Sequence, residues 1–270
     1  MNFLLEPLSY TFMQRGLLAG TMVGVLCAVI GVYVVLRGMA FLGDALAHAI
    51  LPGVAVSYLF GGNLLVGALV AAVVVALGIG YFSRRGTIRE DTAIGILFAA
   101  ALSLGVALIS SIRTYAVDLS HIMFGNVLGV SATDLWLTAG LGLLVLLTVF
   151  LLYRPFMVIS FDPVLAATLR LPGELLRNVM LILLAVTIVI SLQTVGVGLG
   201  AAMLVTPAAT AYLLTRRLPT MMLVSAGLGA FSSIVGLYIS YYLNIVSGSA
   251  IVLTATGIFM IVYVVKRGHR

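Results

Sequence analysis

Polar breaks divide the chain into nine apolar stretches: 16–36, 40–60, 63–82, 92–112, 132–153, 178–197, 199–215, 221–243 and 249–265. A helix needs about 20 mostly apolar residues to cross a hydrocarbon core about 30 Å thick, and each stretch approaches or exceeds that length. The sixth and seventh form one long apolar run, broken by TVGVGLG at 194–200 and again by Pro207. Either is then a full span, or a half-helix or re-entrant segment whose backbone is satisfied by protein or water. No strand-like alternation, low-complexity tract or large polar domain interrupts the series. The pattern predicts an all-α, polytopic helical membrane protein of about nine (eight or nine) spans, with 1–270 as a single transmembrane domain. Residues 1–15 read as a short interfacial segment. Glu6-Pro7 interrupts their apolar residues and no basic region precedes them, which excludes a cleavable signal.

Composition agrees. Hydrophobic residues make up 63% of the chain and charged residues 8%, with a mean hydropathy of +1.26. A soluble domain carries about 25% charged residues. The single cysteine, Cys27, lies in an apolar run and cannot form an internal disulfide. Of the 14 basic residues, all but Arg15 and Arg113 fall on one side of the predicted bilayer. That bias makes this side cytoplasmic, with the N-terminus outside and the C-terminus inside. The net charge of +6 is therefore topological rather than a nucleic-acid footprint. Gly16, Gly20, Gly24 and Ala28 recur every fourth residue in the first span, a spacing that lets helices approach closely, within the chain or between subunits.

Asp44 and His48 interrupt the second span. Four residues apart, they share one helix face. Measured from Arg37 at the inner edge, a rise of about 1.5 Å per residue puts them about 10 and 16 Å deep. Ionisable groups at such depth face a cavity or a partner, and Pro52-Gly53 would bend the helix just beyond them. A carboxylate with an imidazole suits a divalent transition metal such as manganese, iron or zinc. Two ligands are too few for a firm site, but a twofold dimer would supply four. An Asp–His hydrogen bond joining helices, or a proton relay, are the other readings.

Other polar groups are fewer. Asp118 and His121, in RTYAVDLSHIMFGNVLG (113–129), are i, i+3 neighbours on the outer side. They could receive a metal at an entrance, or Asp118 could simply cap a short helix ended by Gly125 and Asn126. Tyr238, Tyr241 and Tyr242 fit an interfacial belt or a gate lining. His269 lies in the charged tail. The largest inner loop is 154–177. There Asp162 is a good N-cap and Pro163 fits the first helical position, so a short helix over 162–170, ended by Pro172-Gly173, is presented to the cytoplasm. It either rests on the membrane or docks a soluble partner. The chain lacks G-x-x-x-x-G-K-[ST], so an ATP-driven mechanism would need its motor from a partner.

Six stretches in order, FMQRGLLAG (12–20), FLGDALAHAILPGVAV (41–56), DTAIGILFAAALSLGVALIS (91–110), DLSHIMFGNVLGV (118–130), SFDPVLAATLRLP (160–172) and TPAATAYLL (206–214), resemble the permease subunits of ATP-binding-cassette importers for zinc, manganese and iron. The resemblance implies a type II importer permease in a prokaryotic cell membrane, working as a homodimer or beside a related permease. It implies a cytoplasmic ATPase dimer that uses the ATP, an extracytoplasmic metal-binding protein, and no permanently bound cofactor. It also implies that Asp44 and His48 line the metal path and that the 162–170 helix couples to the ATPase. Asp162, Val164, Leu165, Leu169 and Arg170 are its contact residues, Val164, Leu165 and Leu169 being the apolar anchors. GDALAHAILPG and HIMFGNVLGV resemble manganese or iron members more closely than zinc members. The chain would not itself be an enzyme. The rival classes are a metal–proton secondary carrier, which would often show internal repeats, and an intramembrane metalloenzyme, which would need a third ligand and a catalytic base.

Overall fold

A computed structural model describes residues 6–84, 88–111 and 127–268; Asp118, His121 and His269 lie outside them. Among the described residues there is no strand. The helices are α1 (Thr11–Leu36), α2 (Leu42–Ala49), α3 (Leu51–Leu59), α4 (Leu64–Phe82), α5 (Glu90–Ser110) and α6 (Ala132–Leu151), followed by α7 (Tyr153–Phe161), α8 (Pro163–Thr168), α9 (Gly173–Val195), α10 (Val197–Leu214), α11 (Leu218–Leu243) and α12 (Ser247–Gly268). Among the described residues eight segments are long and apolar enough to cross a membrane, with α2 and α3 together counted as one, and Gly200–Leu214 within α10 is a shorter apolar helix. The all-α polytopic architecture is thus the one the apolar pattern predicts.

The core is built around α1, which packs against α6, α9, α10 and α11. Its stripe of small residues is used within the chain. A Cβ added at Gly24 would lie 2.7 Å from the carbonyl oxygen of Gly229 on α11, and one at Gly229 would meet the Gly24 carbonyl in turn. Ser225 donates from its hydroxyl to the Ala28 carbonyl at 2.9 Å, across the same contact. Lipid offers no hydrophobic gain for joining two apolar helices, so close backbone approach and interhelical hydrogen bonds carry the association.

Three local features differ from the sequence expectation. First, α1 begins at Thr11, inside the segment 1–15, after a 3₁₀ turn at Pro7–Ser9. Second, the expected span 40–60 is two helices that meet at Ile50. Pro52 has no N–H to give the His48 carbonyl, its i−4 partner. Third, the expected loop 154–177 opens with α7. Pro155 cannot donate to Leu151, so the helix breaks only at Leu152. On either side Leu152 N donates to the Thr148 carbonyl and Phe156 N to the Leu152 carbonyl, both at 2.9 Å. The run 178–215 is two helices parted by Gly196, within the break expected at 194–200.

Four helix ends are tied together where the basic residues cluster. Arg37, just past α1, meets the Glu90 carboxylate at the start of α5 at 3.2 Å. Arg177 on α9 donates to the Gly80 and Ser83 carbonyls at 2.6 and 3.4 Å. It thereby satisfies the C-terminus of α4, where orphan carbonyls favour a cation. Arg84 and Glu174 pair at 2.7 Å on the surface, where such a pair contributes little. The sequence marks Arg37 and Arg177 only as orientation signals; the fold gives each a partner.

Candidate metal pathway

Most of α2 is buried. Leu42, Gly43, Ala45, Leu46, Ala47 and Ala49 are enclosed among α4, α5, α9 and α10. Asp44 and His48 are the exceptions, with side chains 45% and 27% exposed. They open one face of an otherwise enclosed helix. Asp44 lies in the first turn and His48 in the last, where the helix dipole favours an anion and a cation respectively.

The helical rise assumed from Arg37 does not apply. The chain does not run as a helix from Arg37. Gly38 takes a left-handed φ of 69°, which glycine adopts without steric cost, and α2 starts only at Leu42. Along α2, Asp44 and His48 are about 3 and 9 Å from that first residue.

The His48 Nε2 to Asp44 Oδ1 distance is 3.7 Å, beyond hydrogen-bonding range. The two side chains of one helix therefore do not hydrogen-bond each other. Two donors each about 2.1 Å from one ion lie about 3.0–3.6 Å apart for angles of about 90–120°, so at 3.7 Å the pair stands close to the outer limit for two ligands on one cation. Among the described residues no group of three or more His, Cys, Asp or Glu side chains converges. The described residues of one chain thus bring two candidate ligands here, and Asp118 and His121 fall outside the described residues.

The imidazole has a wall that sequence reasoning missed. Phe98 on α5 lies edge-on to His48 with ring centroids 6.0 Å apart, and Phe41 lies edge-on to Phe98 at 5.7 Å. These contacts restrict the imidazole plane. A phenylalanine inside an apolar span carries no distinguishing sequence signal.

The second candidate region is α8. Asp162 accepts from the Val164 and Leu165 N–H groups at 3.0 and 2.9 Å, with Pro163 at the helix start. Val164, Leu165 and Leu169 are exposed while Ala166 is buried. The helix does not wait for Pro172-Gly173 to end. Arg170 takes a left-handed φ of 52°, and Arg170 N and Leu171 N donate to the Ala167 and Ala166 carbonyls at 3.1 and 3.0 Å. That is the Schellman pattern, with arginine where glycine is usual.

The sequence matches the model of the ABC 3 transport family over residues 9–266. The chain belongs to the ABC 3 transport family. This is the family the six ordered motifs resemble, and it makes the chain a multi-pass transport permease. Among family relatives, the manganese transport system membrane protein MntC of Halalkalibacterium halodurans is 48% identical over 258 residues, covering 96% of this chain and 88% of that one. The manganese import system permease protein ScaB of Streptococcus parasanguinis is 44% identical, covering 97% and 93%. The solved structure of PsaBC from Streptococcus pneumoniae in complex with Fab superposes with a TM-score of 0.85 at 38% identity, over 97% of this chain and 94% of that one.

Proposed function

We propose that this chain is the membrane permease of an ATP-driven importer for a divalent transition metal, manganese before zinc or iron. In this reading Asp44 and His48 of two permease copies, identical or related, line the ion's path. The observation that carries it is the pair itself: an oxygen and a nitrogen donor 3.7 Å apart on the one open face of α2. The names of the relatives favour manganese. A second copy would bring the donors to four, two oxygens and two nitrogens. That is a borderline-hard set able to exchange with an ion's water shell.

The chain has no phosphate-binding loop, so ATP is used by a cytoplasmic ATPase dimer, and an extracytoplasmic metal-binding protein delivers the ion. The membrane is the cell membrane of a prokaryote, with the N-terminus outside and the C-terminus inside. The loop 154–177 is the cytoplasmic coupling segment. The exposed anchors of α8 seat in a groove of the ATPase, and movement passes through α7 to α1 and the turn that precedes α2.

The test is manganese uptake by Asp44→Ala and His48→Ala, with membrane level and dimer formation measured alongside. Each change removes a ligand and little apolar packing, so uptake is expected to vanish while assembled protein persists. Wild-type uptake in both variants would falsify the site.

A further inference from the structure

A cavity of about 810 Å³ opens between the C-terminal ends of α10 and α12, lined by Tyr212, Arg216, Tyr263, Lys266 and Arg267 among others. Next to it, sharing Leu213 and Lys266, lies a second space of about 370 Å³ lined by Leu214, Ile261, Val262 and Val265. The first is cationic and aromatic. The second is apolar apart from the shared lysine, and its α12 residues precede Lys266 by up to five positions, away from the chain's end.

We propose that these joined spaces form a binding site for an anionic diacyl phospholipid, with the phosphate among Arg216, Lys266 and Arg267 and an acyl chain along Ile261, Val262 and Val265. Charge complementarity selects the occupant. Each helix C-terminus carries about half a negative charge, so two ends offset about one of the three cationic charges and leave about two. Among the described residues no carboxylate lies within ion-pair distance of any of the three. Tyr212 and Tyr263 are amphipathic groups of the kind that sit at headgroup level. Basic pockets between helix ends on the cytoplasmic side suit anionic headgroups. A free phosphate would use only the first space, and a soluble protein would have no reason to follow the apolar one.

Assignment of this end to the cytoplasmic leaflet rests on the proposed orientation. The binding itself does not, so the two fail separately. Orientation is read by labelling a cysteine placed at Thr87 in a Cys27→Ser background; labelling only from outside overturns the orientation and leaves the lipid site standing.

The binding test uses the permease with its co-purifying subunits, reconstituted from vesicles of equal phosphatidylglycerol and phosphatidylethanolamine, with retained lipid counted by native mass spectrometry. Wild type is expected to retain phosphatidylglycerol preferentially. Each charge removed by Arg216→Gln, Lys266→Gln or Arg267→Gln should lower that retention about fivefold. Ile261→Trp, which obstructs the apolar space and keeps every charge, should lower it too, whereas a free anion would be unaffected. The double variant Arg89→Gln, Arg154→Gln removes charge elsewhere and should change nothing. Unchanged retention when Arg216→Gln, Lys266→Gln and Arg267→Gln are combined overturns the proposal, as does equal loss in the control. Loss of ATPase association with lipid unchanged overturns it in favour of a protein-docking surface.

Discussion

Phe156 on α7 packs edge-on against Tyr33 near the end of α1, with ring centroids 5.7 Å apart and planes at 70°. Both side chains are fully buried. The contact joins the segment leading to α8 with the helix at the centre of the bundle. The Tyr33 hydroxyl is buried with no hydrogen-bond partner among the described atoms, so the ring rather than the oxygen makes the joint. Phe156→Ala is expected to destabilise the protein by about 3–5 kcal/mol. Tyr33→Phe should be neutral or stabilising, because it removes an unsatisfied polar atom. Thermal unfolding of the purified permease checks both; a lower midpoint for Tyr33→Phe would show that the hydroxyl is paired after all.

The Arg37–Glu90 pair supports a double-mutant cycle. Burial lowers the Arg37 pKa from its ordinary value, Glu90 opposes that shift, and Arg177 adds to it. Removing Glu90 strands the guanidinium. Glu90→Leu should cost about 2 kcal/mol, below the range for a fully buried pair because both side chains keep some solvent. The double variant Arg37→Met, Glu90→Leu should recover most of that loss. Additive losses in unfolding experiments would mean that the two groups are not coupled.

Helix α8 separates backbone from charge. At φ 52° an L-residue is disfavoured by about 1–2 kcal/mol, so Arg170→Gly should keep the loop while removing an edge charge. It is expected to reduce ATPase co-purification only a few-fold, as rim charges do. Arg170→Val should distort the loop and reduce it further. Leu165→Glu should weaken ATPase association and metal uptake together, since it places a charge on an anchor. Normal association and uptake in Leu165→Glu would return α8 to a segment resting on the membrane.

Two glycines on neighbouring helices make contrasting probes. A side chain at Gly24 would collide with α11, whereas a Cβ at Gly227 meets nothing within 4 Å. Gly24→Val should therefore prevent a stable, monodisperse fold. Gly227→Ala should be tolerated, with a gain of up to about 1 kcal/mol from helix propensity. Gel filtration and melting of the two variants decide it, and a stable Gly24→Val protein would contradict the α1–α11 contact.

Much here is legible in the sequence because lipid makes the rule simple. A backbone in hydrocarbon must satisfy its own polar groups, so long apolar runs become helices and their number follows from their length. The same reasoning isolates Asp44 and His48, which are conspicuous because charge is costly among apolar residues. It also identifies Asp162-Pro163 as a helix start, since capping is a local event.

Tertiary structure decided what depends on neighbours distant in sequence. That Gly24 serves α11 within the chain follows from which helix lies beside α1, and spacing cannot express it. That Asp44 and His48 open the one uncovered face of α2, beside Phe98, follows from four helices enclosing the rest. Arg37 and Arg177 look alike as basic residues at a membrane edge. Only packing shows that one neutralises Glu90 and the other caps α4, because a charge finds its partner through space and the chain's order does not record that distance.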